Sequence, residues 1–372
     1  MLTRRAFAGR IGFAATAAGM LSEMAYAQRA TLDSKSLPKD MVWLNANENP
    51  AGPPPAAIKA MTDTLPTTGR YHYQEFGDFY TALAVSEDLT REQILVGSGS
   101  SESLHAAIEA FTSSTKPMIT VMPTYEAPVD LAKASGRSVI TLPLTDKYTP
   151  DVRKLVAEAD KAGGGLIYIC NPNNPTANVV PKADVAWMVA NLPPNTVALF
   201  DEAYIHFAET PEMESALTYV RQGKDVVVTR TYSKIYGMAG LRAGFAAARP
   251  DLIKKMAPFR NNVISWVTVQ AVLAAIADKN LVAQRKAGYT KTRAELCSWM
   301  SKKGLTYIEP QTNFVMIDVG RDVRDFGRQM AQAGVAVGRP FPPFDKMLRV
   351  TIGTDQDMAK FREVFWTVYQ KS

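Results

Sequence analysis

The chain of 372 residues predicts an α/β fold: a large domain built on an open, mostly parallel seven-stranded sheet flanked by helices, followed by a smaller α+β domain. Three observations predict it. Short Val/Ile-rich runs alternate with longer mixed segments up to about residue 248, as in consecutive strand–helix–strand units. Several of those runs are apolar on both faces, as strands covered on both sides by helices require. After residue 255 the pattern changes to a long Ala-, Leu- and Lys/Arg-rich helical stretch and then to isolated strands and helices. With 47% hydrophobic and 21% charged residues, the composition is that of a globular protein with a sizeable core, which excludes disordered, collagen-like and repeat-array classes.

At the N-terminus, Arg4 and Arg5 precede a mild apolar run from Ile11 to Leu21 and then Ala25-Tyr26-Ala27. These are the three parts of an export signal, with small residues before a cut after residue 27. The run is far shorter than the roughly 20 residues a spanning helix needs, so no permanent membrane anchor is expected. Thr3-Arg4-Arg5-Ala6-Phe7 further resembles the twin-arginine signal, which implies the twin-arginine export machinery as a partner and a periplasmic or secreted location. An amphipathic N-terminal helix of a cytoplasmic protein is the alternative. The formal net charge of +6 falls to about +4 without this segment, and with no basic run beyond it no nucleic-acid partner is expected. Cys170 and Cys297 form no CxxC pair, and His105 and His206 no HExxH or HxH pair, so neither a disulfide framework nor a protein-held metal is expected.

Residues 28–65 are rich in Pro, Asn and Gly and read as an irregular arm contributing to the small domain, with a helix near 56–64. The large domain is expected over 66–258, with strands at 94–96, 118–121, 139–142, 166–170, 197–200, 226–230 and 244–247. The small domain, 259–372, is expected to hold a helical stretch over 267–302, a strand at 313–318, a helix near 323–333, a strand at 348–352 and a final helix. Ligands of such sheets sit at the carboxyl ends of the strands. Unusual polar residues should therefore follow the apolar runs, and they do.

The first such end is Gly97-Ser98-Gly99-Ser100-Ser101-Glu102, glycines and hydroxyls opening a helix, which suits a phosphate. Glu102 stands where a dinucleotide fingerprint has its third Gly, and a plain capped helix explains the segment equally well. The second is Asn171-Pro172-Asn173-Asn174-Pro175-Thr176-Ala177, where two Asn-Pro steps hold amides at a strand tip; a turn rich in breakers is the other account. The third is Asp201-Glu202-Ala203-Tyr204: a carboxylate ending a buried strand is costly unless something positive meets it. The fourth carries Ser233-Lys234 and, eight residues after the lysine, Arg242. A lysine in an apolar site becomes a nucleophile able to form a Schiff base, and an arginine offers a bidentate fork to phosphate. Together the four ends offer an amine for an aldehyde, an anion for a pyridinium nitrogen, donors for a phenolate and a phosphate cup. Pyridoxal 5'-phosphate has all of those groups.

The words LNANENP, GSGSSES, PTYEAP, NPNNPTA, DEAY, RTYSKIYGMAGLRAGF, NFV and LRVTIGT, in this order from about Leu44 to the C-terminus, resemble the fold-type-I pyridoxal-phosphate aminotransferases. The likeness is to the class I/II branch near the histidinol-phosphate aminotransferases. The resemblance implies that Lys234 forms the Schiff base with the cofactor and moves protons, that Asp201 keeps the pyridinium protonated, and that Tyr204 and Asn174 donate to the phenolate oxygen. It implies a phosphate cup of Ser100, Ser101, Ser233 and Arg242, with Tyr125 stacked on the ring. Arg349 would clamp the substrate α-carboxylate with Asn313 as its helper. Tyr71 would reach the phosphate of a neighbouring subunit's cofactor, which implies a homodimer with shared sites.

Two departures stand out. Ala177 replaces the glycine that ends the NPTG word, and Gly69-Arg70-Tyr71-His72-Tyr73 lacks the usual RYP run. His72, Tyr73 and Gln74 are therefore either specificity residues at the substrate entrance or plain surface-loop residues. The activity implied is transfer of an amino group between an L-amino acid and a 2-oxo acid. The alternatives are a racemase, lyase or oxidative deaminase on the same fold, or a non-catalytic cofactor- or amino-acid-binding protein. Export argues against histidinol phosphate as the physiological substrate.

Overall fold

The structure, a computed structural model, describes residues 40–260 and 263–371. The expected export signal, residues 1–27, lies outside the described residues. Twelve strands are formed among the described residues. They are β1 (Val42–Leu44), β2 (Ile94–Ser98), β3 (Met118–Met122), β4 (Val139–Pro143), β5 (Gly165–Cys170), β6 (Thr196–Asp201), β7 (Val226–Thr231), β8 (Ala243–Ala248), β9 (Tyr307–Ile308), β10 (Phe314–Asp318), β11 (Val335–Val337) and β12 (Met347–Thr351). Seven of them make one sheet in the order β2-β8-β7-β6-β5-β3-β4. It is parallel except for β8, which runs antiparallel to both β2 and β7. The seven strands expected from the apolar runs are these seven, each a residue or two longer at one or both ends, or matched within one residue.

The sheet is central because its strands are apolar on both sides. Along β5, Ile167 and Ile169 join one core layer with Phe200 and Val228. Leu166, Tyr168 and Cys170 join the layer on the opposite face with Leu199 and Val227. Alternate side chains of a strand point to opposite faces, so a continuous apolar run can seat two helical layers at once. Local signals set several helix starts. Asp151 accepts from the Lys154 amide, Ser265 from the Thr268 amide, and Thr354 with Asp357 makes a capping box.

The small domain packs Leu296, Met300, Ile317, Phe326, Phe361 and Phe365 beneath the three-stranded antiparallel sheet β12-β10-β9. The helical stretch expected over 267–302 is two helices, Trp266–Ala277 and Leu281–Lys302, bent by 79° at the break. The Asn280 amide donates to Asp278 Oδ1 at 3.0 Å, and this local side-chain turn competes successfully with continued helix. The arm also holds a strand not expected from the sequence: β1 pairs in parallel with β11. Among the described residues, no single helix is long and apolar enough to cross a membrane.

Candidate active site

Strand register brings three polar ends side by side. Cys170 ending β5 pairs with Asp201 ending β6, and Asp201 pairs with Thr229 near the end of β7. Asp201 is 2% exposed. Its Oδ1 accepts from the Ala203 amide at 3.2 Å and the Thr229 hydroxyl at 3.4 Å, and its Oδ2 from the Tyr168 hydroxyl at 3.4 Å. Burial lifts the Asp201 carboxyl to about 6, while these donors and the Lys234 charge pull the other way. A buried acid met by neutral donors is suited to a cationic partner.

Lys234 follows β7 by three residues. Its Nζ donates to the Ala46 carbonyl at 3.4 Å and stands 5.7 Å from the centre of the Tyr204 ring. Burial pushes the Tyr204 phenol above its ordinary value, with Arg349 opposing, so the hydroxyl remains a neutral group. It accepts from Asn47 Nδ2 at 3.1 Å.

Because β8 is antiparallel, its start lies beside the end of β2, with Ser98 opposite Ala243. That brings Arg242 to the N-terminus of the helix Ser100–Phe111. Gly99 has φ +75°, and a Cβ there would come within 2.5 Å of Arg242 Nη2. A Cβ on Gly244 would overlap the Ser100 amide nitrogen. Both positions need glycine for the close approach. Glu102 Oε2 accepts from the Ser98 amide at 2.6 Å, and the Ser233 hydroxyl meets Thr231 Oγ1 at 2.8 Å. Ser100, Ser101 and Arg242 thus surround a helix N-terminus, where amide N–H groups and the helix dipole favour an anion.

Arg349 on β12 is 7% exposed. Its Nη1 donates to Asn174 Oδ1 at 2.8 Å and its Nη2 to the Asn45 carbonyl at 2.7 Å. Of the Asn174 side-chain amide only the oxygen can accept from a guanidinium, so this contact turns its NH2 group away from Arg349 and makes it available as a donor. Phe341 lies between Arg349, 4.7 Å from its ring centre, and Arg339, at 4.0 Å, and Arg339 is ion-paired with Glu126 beside Tyr125. Asn313 is fully buried and donates to the carbonyls of Asn47 and Glu48. Tyr125 is half-buried and borders the layer of Tyr168 and Cys170.

Tyr71 stands apart from this group within the chain: it is 73% exposed, with its ring stacked on Tyr73. His72 has a left-handed φ of +59° and stacks on Trp266, its two ring nitrogens meeting Glu75 Oε1 and the Thr67 carbonyl. Gln74 is exposed. Ala177 is fully buried and held at φ +63°, a conformation that costs an alanine roughly 1 kcal/mol more than glycine.

Sequence reasoning missed three sets of residues. Asn45 and Asn47, in the arm, touch Arg349, Asn313 and Tyr204, and the alternation of asparagines at 45, 47 and 49 was the available signal. Tyr168 and Thr229, read only as strand residues, are donors to Asp201. Beside Asp201, Glu202 accepts from Arg230 Nη2 at 3.0 Å, and the same guanidinium reaches Glu87 Oε2 at 2.6 Å. This network ties the strand ends that carry Asp201 and Lys234 to the helix Phe76–Ser86.

Known proteins share the fold. The profile of the family described as aminotransferase class I and II matches residues 39–365, and the chain belongs to this family. It is 32% identical over 336 residues to a histidinol-phosphate aminotransferase of Moorella thermoacetica, covering 87% of this chain and 84% of that one. It is 30% identical to an aromatic amino acid aminotransferase of Cutibacterium acnes, covering 86% and 90%. The crystal structure of a histidinol-phosphate aminotransferase from Sinorhizobium meliloti in complex with pyridoxal-5'-phosphate superposes with a TM-score of 0.82 at 25% identity, covering 90% and 92%.

Two variants test these electrostatics. Between its ordinary 3.8 and about 6, the folded state holds the Asp201 proton more tightly than the unfolded chain. Stability of the protein without ligand therefore falls as pH rises through this window, and a penalty of about 3 kcal/mol is complete above it. Asp201→Asn is expected to abolish that part of the slope and to raise stability above pH 6 in urea titrations. Arg230→Met strands Glu87 and Glu202 in the interior and is expected to lower stability by about 3–5 kcal/mol in the same measurement.

Proposed function

We propose that the protein holds pyridoxal 5'-phosphate at this site and moves an amino group between an L-amino acid and a 2-oxo acid. The single observation that carries this is a buried anion, a lysine amine and a glycine-lined anion cup at adjacent strand ends of one sheet. Membership of the aminotransferase family supports the same reading.

The residues present fit the group. The space that Gly99 and Gly244 leave open beside Arg242 and the Ser100 amide suits a phosphate, with Ser101 and Ser233 as further donors. Asp201, buried and met by neutral donors, suits a protonated ring nitrogen. Tyr204 and the Asn174 amide suit the phenolate oxygen, and Tyr125 the ring face. When bound, the cofactor supplies an aldehyde for the amino group and a ring that accepts electron density from the substrate Cα.

The chain's own residues do the rest. Lys234 Nζ would be the base that takes the substrate Cα proton and carries it to the cofactor. The Ala46 carbonyl and the Tyr204 ring hold that amine on a short tether between β7 and the arm. Asp201 would hold its negative charge for the cofactor's ring nitrogen. Arg349 fixes an α-carboxylate, its guanidinium already aligned by Asn174 and the Asn45 carbonyl, so little orientation has to be lost on binding. Both half-reactions use one site, and the order is ping-pong.

The protein acts as a homodimer, in which Tyr71, exposed within one chain, reaches the neighbouring cofactor's phosphate. Exposed Tyr73 and Val263 support such a surface. The N-terminal pair Arg4-Arg5, the apolar run and Ala25-Tyr26-Ala27 support export by the twin-arginine route and a periplasmic location. In that setting the substrate is an amino acid bearing an α-carboxylate rather than histidinol phosphate.

Borohydride treatment of the cofactor-loaded protein, followed by peptide mapping, is expected to place the pyridoxyl group on Lys234. A label on any other residue, or none, overturns the assignment. Native protein from its own cells is expected to begin at Gln28 by intact mass and to sediment as a dimer; retention of Met1–Ala27 ends the export proposal.

A further inference from the structure

We propose that Tyr168 is a positioning residue of this site, its hydroxyl holding the Asp201 carboxylate in the orientation and charge state in which it meets the cofactor's ring nitrogen. The proposal rests on the reading of Asp201 given above.

Tyr168 is fully buried in the middle of β5, on the face it shares with Leu166, Cys170 and Leu199. Phenylalanine would fill nearly the same volume, so packing accounts for the ring but not for the hydroxyl. A phenolic O–H in such surroundings is costly unless it donates. It donates to Asp201 Oδ2 at 3.4 Å, while the Ala203 amide and the Thr229 hydroxyl reach Oδ1. The carboxylate is therefore gripped at both oxygens, from β5 by Tyr168 and from β7 by Thr229. Rotation about its Cβ–Cγ bond would break contacts on both sides.

The titratable groups around Asp201 are Tyr168 and Cys170 from β5, Tyr204 from the loop after β6, and Lys234 after β7. Burial pushes the Tyr168 phenol and the Cys170 thiol well above their ordinary values and raises Tyr204 as well. All three remain neutral, and the lysine is the cation of the set. A donor that stays protonated across the working range stabilises the carboxylate as an anion. Without it the carboxylate holds a proton more tightly, and the shared proton shifts from the ring nitrogen towards Asp201.

The test uses pyridoxal phosphate labelled with 15N in the ring, loaded into wild type and Tyr168→Phe. The wild-type nitrogen is expected to resonate in the pyridinium range between about pH 6 and 9. In Tyr168→Phe it is expected to move towards the neutral pyridine position and to titrate within that range, with cofactor affinity about tenfold weaker. Thr229→Val, which frees the other oxygen, is expected to shift the resonance in the same direction. An unchanged nitrogen resonance with affinity within about twofold of wild type overturns the proposal, as does a lowered thermal midpoint with an unchanged resonance, which marks a purely structural role. A wild type that binds the cofactor through an unprotonated nitrogen removes the reading of Asp201 itself, a result separate from failure of the tyrosine alone.

Discussion

A carboxylate buried at the end of a central strand is the constraint on which the arrangement depends. Asp201 lies at the carboxyl end of β6, between β5 and β7, with apolar layers above and below the sheet. Desolvation disfavours its charge, and the neutral donors from Tyr168, Thr229 and Ala203 offset only part of that cost. Such a group persists where a cation completes the site. The same strand ends place Lys234 and the glycine-lined helix N-terminus near it, so one sheet register aligns the amine, the anion and the proposed phosphate position.

The second organising element is the arm before residue 55. It has little regular structure, so its carbonyls need partners from elsewhere. Arg349 bonds the Asn45 carbonyl, Lys234 the Ala46 carbonyl and Asn313 the Asn47 carbonyl. Asn47 reaches Tyr204 and Thr351, and Asn49 reaches the carbonyl of Ile235. The arm thereby couples β10 and β12 of the small domain to the loops after β6 and β7 of the large one. Arg349 and Lys234, the residues proposed for carboxylate recognition and proton transfer, are held by a single backbone segment.

The seven large-sheet strands were legible because each is an apolar run bounded by breakers, a pattern that survives whatever the neighbours are. β1, β9 and β11 were not, since two or three residues carry no periodicity and exist only through pairing. The single helical stretch over 267–302 failed for a local reason, the Asp278 turn that apolar periodicity does not register. Ser100, Asn174, Asp201, Lys234 and Arg242 were readable as polar exceptions at strand ends. Tyr168 was not, because a tyrosine inside an apolar run is indistinguishable from core until its hydroxyl has a partner.

By itself, then, the amino-acid order determined the fold class, the strand ends and the chemical types gathered there, because burial pattern and breaker residues act over a few positions of chain. Tertiary structure decided which groups meet: Arg349 with Asn174 across 175 positions, Arg230 with Glu87 across 143, Tyr168 with Asp201 across 33. Those pairings follow from strand order and register. Both are set by how whole layers pack against each other, and no local stretch of sequence encodes that.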